Sequence, residues 1–141
     1  MPRSAKKLAR LHRVRTLQLD QVRAEEVRAQ TRVSQEMQLR ERISSLAENI
    51  APVKSGGGFA ASMIAAAHYR DRLHQSADAA VRRVEVAELG LESARAATRE
   101  ARRDQSAIEK LIDREKADAA LKMLRELEAL PPSGRNRHDI C

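Results

Sequence analysis

The stretch that decides the fold runs from Leu73 to Ala94, LHQSADAAVRRVEVAELGLESA. Its apolar side chains Leu73, Ala77, Ala80, Val84, Ala87, Leu91 and Ala94 recur at alternating steps of four and three. That repeat lays one apolar stripe along a helix, at the a and d positions of a coiled coil. The stripe reaches back through Met63 to Phe59 and forward through Ala101 to Ile108 and Ile112. Its many alanines let a partner helix come close, while each contact removes little apolar surface from water. The whole chain has 141 residues, 42% apolar and 33% charged, with Phe59 and Tyr69 as its only aromatic residues. A compact domain of this size relies on large side chains, worth ~25 cal/mol per Å² of apolar surface removed from water. This composition suits a thin seam between long helices and excludes an ordinary α/β enzyme fold.

Two breaks bound the helical text. In Ala51-Pro52-Val53-Lys54-Ser55-Gly56-Gly57-Gly58, Pro52 cannot continue a helix and three glycines free the backbone to reverse. The second break is Pro131-Pro132-Ser133-Gly134. Gly90 stands alone and does not end a helix, at a cost of ~1 kcal/mol. The fold class that follows is all-α: an extended antiparallel two-helix coiled-coil hairpin with a longer second helix. Residues 1–50 form the first helix, with Ser4 as its N-cap and a basic N-terminal end. A Pro/Gly turn spans 51–58, the second helix spans 59–130, and 131–141 is a flexible tail. A short turn favours the antiparallel pairing because closing it costs little entropy.

In the first helix Leu8, Leu11, Val22, Ala29, Leu39, Ile43, Leu46 and Ile50 hold one face, interrupted by Arg15, Gln18, Glu25, Arg32 and Glu36. Pairing outward from the turn sets residue i opposite about 109 − i, which places Ser4 by Gln105. Residues 106–130 then overhang as a single helix ~37 Å long. Their stripe of Ile108, Leu111, Ala117, Leu121, Leu124 and Leu127 calls for a partner.

Charge points to that same end. The chain carries 27 basic and 20 acidic residues, a surplus of +7 that favours an anionic partner. Arg3, Lys6, Lys7, Arg10, Arg13 and Arg15, with His12, fall within the first nineteen residues, which hold no acid. The pairing sets them beside Arg99, Arg102 and Arg103. No metal or nucleophile constellation emerges: His68 and His74 point to different sides of a helix and have no zinc-ligand spacing. Lys54-Ser55-Gly56-Gly57-Gly58 has P-loop letters in the wrong order and no preceding strand. Glu25-Glu26 lies on a solvated surface without a pocket. The reading is a non-enzyme without cofactor or metal. The one cysteine, Cys141, excludes an internal disulfide framework and fits a reducing cytoplasm. No apolar run reaches the ~20 residues of a membrane span and Met1 to Leu8 lacks a signal-peptide core, so a soluble, cytoplasmic protein is expected.

The segment Ala101-Arg102-Arg103-Asp104-Gln105-Ser106-Ala107-Ile108-Glu109-Lys110-Leu111-Ile112-Asp113-Arg114 resembles the hallmark of the FliJ family, the flagellar type III export stalk proteins. There a basic run precedes a leucine-glutamate-lysine-leucine core and a closing arginine. Tyr69-Arg70-Asp71-Arg72-Leu73, just past the turn, and Leu8, Leu11, Arg13, Arg15 and Gln18 are similar to further family features, so the resemblance covers most of residues 5–130. It implies a two-helix stalk similar to that of rotary ATPases. The open end would enter the hexameric export ATPase through Lys6, Lys7, Arg10, Arg102, Arg103, Lys110, Leu111 and Arg114. Tyr69, Arg72, Leu73, Ser76 and Ala79 would face the cytoplasmic ring of the export gate. Export chaperones would be further partners, and the site of action would be the cytoplasmic face of the inner membrane at the flagellar base, in the service of motility and chemotaxis. The stalk of a virulence type III secretion system fits the same residues. A basic coiled-coil scaffold or nucleic-acid binder is the reading from another class, with nucleic acid disfavoured by the lack of aromatic platforms.

Overall fold

The computed structural model describes residues 3–49, 59–132 and 134. Two helices, α1 (Arg3–Glu48) and α2 (Phe59–Glu128), account for nearly all of them, and no strand occurs among the described residues. At 1.5 Å per residue the 46 residues of α1 and the 70 of α2 give helices of about 69 and 105 Å. The two pack against each other antiparallel, as expected of a two-helix hairpin with a longer second helix. Ser4 lies inside α1 rather than capping it, and its hydroxyl donates to the Glu115 carboxylate of α2. α2 ends at Glu128, two residues before the expected end. Ile50, the turn over 51–58 and most of the tail over 131–141 lie outside the described residues.

Two packed units make up the chain: α1 up to Thr16 with α2 from Arg103 onward, and Leu17–Arg102. In the second unit Ala80, Val84, Ala87 and Leu91 of α2 and Leu19, Val33 and Ala47 of α1 are buried. Val33, Ala87 and Leu91 form the central cluster, with Ala29 packed on it. The α2 stripe read from the sequence is thus the seam itself. Buried Thr98 continues it, its hydroxyl turned back to the Ala94 carbonyl at 3.1 Å.

The face expected of α1 is corrected in part. Leu8, Val22, Ala29, Leu39 and Ile43 are half-buried as expected, but Leu11 and Leu46 are 39% and 54% exposed. The row that turns inward runs through Ala5, Leu8, His12, Arg15, Leu19, Val22, Glu26, Ala29, Val33 and Glu36, again in steps of three and four. Four of those ten positions are polar, and the row through Leu11 shares Leu8, Arg15, Val22, Ala29 and Glu36 with it, so hydropathy alone does not separate the two.

The register also differs from the expected one. In the first unit Ser4 pairs with Glu115, His12 with Glu109, Arg15 with Asp104 and Thr16 with Gln105. In the second, Glu36 meets Arg83. Residue i therefore faces about 120 − i rather than 109 − i. The reason is electrostatic as well as apolar. The expected register would set Arg15 opposite Ala94 and His12 opposite Ala97. The observed one gives each a carboxylate while keeping the apolar rows in contact. Phe59 to about Arg70 then lie beyond the last residue of α1, and the stretch of α2 without an opposite partner starts near Lys116, not Ser106. Ile108, expected in the overhang, is buried.

Candidate functional site

The end of the first unit is built from one conflict. α1 has no acidic residue in its first turn, where the helix dipole favours one. It carries Arg3, Lys6, Lys7, Arg10 and Arg13 instead, all exposed. None of these five has a hydrogen bond or ion pair among the described residues. On the inward side, by contrast, His12, Arg15 and Thr16 each meet a partner on α2. Arg15 Nη1 donates to Asp104 Oδ2 at 3.0 Å, Gln105 Nε2 donates to Thr16 Oγ1 at 3.0 Å, and His12 Nε2 lies 3.2 Å from Glu109 Oε1. The acidic residues of α2 hold the inner side of the basic segment and leave its outer side unneutralised.

Beside that segment lies a groove of about 510 Å³ between the two helices. Ala5, Leu8, Ala9, Ile112 and Ala119 make its floor, with Lys6, Glu115 and Lys116 around them. Beyond Ala119, α2 continues without a neighbouring helix among the described residues. Leu121, Met123, Leu124, Leu127 and Leu130 are 52%, 66%, 55%, 59% and 62% exposed. The sequence signals of the α1 end and of the overhang therefore meet at one place, a basic rim beside an open apolar face.

The candidate ATPase-facing residues divide between the units. Lys6, Lys7, Arg10, Arg103, Lys110, Leu111 and Arg114 all belong to the first unit and are exposed. Arg102 belongs to the second, where it lines a shallow groove with Arg23, Glu26, Gln30 and Thr98. Arg99 is there too, its guanidinium donating to Glu92 at 3.1 Å. Of the three arginines expected beside the basic α1 segment, Arg103 alone belongs to the same unit, whereas Arg99 and Arg102 belong to the other. Of the gate-facing candidates, Tyr69, Arg72 and Ser76 are exposed in one row of α2, and Ala79 is half-buried. Leu73 is half-buried on the neighbouring row that continues the seam. Phe59, Met63 and Ile64 add exposed apolar surface near Tyr69.

Sequence reasoning missed the groove. Its floor of small residues has no signal until the register is known, although the acids at Asp104, Glu109, Asp113 and Glu115 did offer a match for the basic α1 segment. Among the described residues no group of three or more His, Cys, Asp or Glu side chains is placed to hold a metal ion. No helix among the described residues is long and apolar enough to cross a membrane. Comparison with protein-family models, with curated proteins and with solved structures returns no match.

Proposed function

We propose that this chain is a non-catalytic stalk and coupling component of the bacterial flagellar type III protein export apparatus. In this reading the end of the first unit engages the hexameric export ATPase. The exposed row of Tyr69, Arg72 and Ser76 engages the cytoplasmic ring of the export gate, and empty export chaperones are escorted along the way. The protein works at the cytoplasmic face of the inner membrane. One observation carries the proposal: five unneutralised cations of α1 stand beside the last turns of α2, where four large apolar side chains are more than half exposed and Leu130 just past the helix is too. A monomer in water gains nothing from either. Contiguous apolar surface of that kind marks an interaction site, and cations gathered at the positive pole of a helix await an acidic one. The resemblance of residues 101–114 to the FliJ hallmark names the receptor.

The test is co-purification with the export ATPase together with an assay of its hydrolysis. A complex that weakens as salt is raised, a changed hydrolysis rate, and loss of swimming on deletion of the gene are the expected results. No complex and unchanged hydrolysis at low salt would end this reading.

A further inference from the structure

We infer that the groove of the first unit and the apolar face beyond it form one continuous seat for a third helix, acidic and amphipathic, supplied by a partner protein. This deepens the reading above and rests on it only for the partner's being a protein of the export machinery. The floor of the groove is set by Ala5, Ala9 and Ala119, with Leu8 and Ile112 between them. Alanines on both helices let a third backbone approach to the 8–10 Å at which helices pack. A helix is also the form of chain that satisfies its own backbone hydrogen bonds, so it can be laid on an apolar floor without leaving amides unpaired. From the groove the face continues through Met123 and Leu127, each four residues on from the last starting at Ala119, which keeps them on the groove's side of α2. The thirteen residues of α2 from Lys116 to Glu128 give a seat ~20 Å long, between three and four turns of a partner helix.

Charge selects the occupant. Residues 3–16 and 103–132 carry twelve lysines and arginines against seven acidic residues. A second copy seated here would bring the same surplus against itself. The chain's own residues 133–141 add Arg135 and Arg137 against Asp139, so they are no better matched. Lys6 and Lys116 stand on the rim of the groove, and Lys7 and Arg10 are exposed on the same end of α1. An apolar row flanked by glutamates and aspartates answers both the floor and the rim.

The test uses the full chain and a labelled 21-residue synthetic helix with leucine at a and d and glutamate at the flanking positions. Its isomer with lysine for every glutamate is the control. Fluorescence anisotropy should show the acidic helix binding, more weakly as salt rises, and the basic isomer failing to bind. Met123→Gln with Leu127→Gln should weaken the acidic helix at least tenfold, as should Lys6→Glu with Lys116→Glu. All four positions lie at the surface of the unit, so unchanged thermal melting by circular dichroism shows that each variant folds. Tyr69→Ala should bind as the parent does. The inference is overturned if the acidic helix does not bind, if both isomers bind alike, or if the variants bind like the parent. It is equally overturned if anionic lipid vesicles or duplex DNA compete the peptide away while the peptide cannot displace them, or if sedimentation shows a dimer that the Met123→Gln, Leu127→Gln variant dissolves. Peptide binding without ATPase co-purification would keep the seat and reject the export reading, and the reverse pair of results would do the opposite.

Discussion

Leu19 is 2% exposed and Leu17, two positions earlier on α1, is 68% exposed. That contrast makes the packing testable with single substitutions. Leu19→Ala leaves a hole in a two-helix seam and is expected to cost about 2–3 kcal/mol, the lower part of the range for buried leucines because a thin seam collapses easily. Leu17→Ala is expected to stay within about 0.5 kcal/mol. Urea unfolding followed by circular dichroism measures both. At Gly90 a Cβ would meet nothing within 4 Å, and the residue sits in the interior of α2. Gly90→Ala should therefore raise stability by about 0.5–1 kcal/mol through helix propensity alone. The Arg15–Asp104 pair has side chains 38% and 45% exposed. A double-mutant cycle should accordingly find a coupling of only about 0.2–1 kcal/mol, falling with salt. These residues also mark what could be read in advance. The α2 stripe was legible because nearly every seam position is alanine, leucine, isoleucine or valine. In α1 the inward row includes His12, Arg15, Glu26 and Glu36, each of which reads as solvent-facing until its partner on α2 is known.

At the scale of the element, the register is the property that periodicity cannot fix. The difference between pairing about 109 − i and about 120 − i is eleven residues, very nearly three turns of helix. Such a shift returns every side chain to its own face, so the stripes look equally good in both. Cross-helix polar pairs break the tie, much as a polar residue within a coiled-coil seam selects one register. The segments of α2 left without an α1 neighbour change with it: Phe59 to about Arg70 at one end, and Lys116 onward at the other. Cysteine trapping distinguishes the two pairings. In a Cys141→Ser background, His12→Cys with Glu109→Cys should oxidise readily to a disulfide. His12→Cys with Ala97→Cys, which faces it only in the alternative register, should not. Efficient cross-linking of the second pair and none of the first would reverse the assignment.

For the molecule as a whole, the number of helices and their antiparallel pairing were written in two breaks and one repeat. The basic end and the apolar overhang were legible as separate features. Their meeting at one groove was not, because it depends on which turn of α2 lies beside Ala5 and Ala9. In the proposed function, Lys116 to Leu130 and the first turns of α1 are left open for a partner, the export ATPase. Amide hydrogen exchange on the full chain, alone and with that ATPase, tests it most directly. Exposed helix without tertiary support opens readily, whereas packed seam does not. Free protein should exchange quickly over 116–130 and slowly over 73–115, and the ATPase should slow exchange over 116–130 and 3–12 specifically. Unchanged exchange at those two segments in the presence of saturating ATPase, or slow exchange over 116–130 in the free chain, would contradict the account.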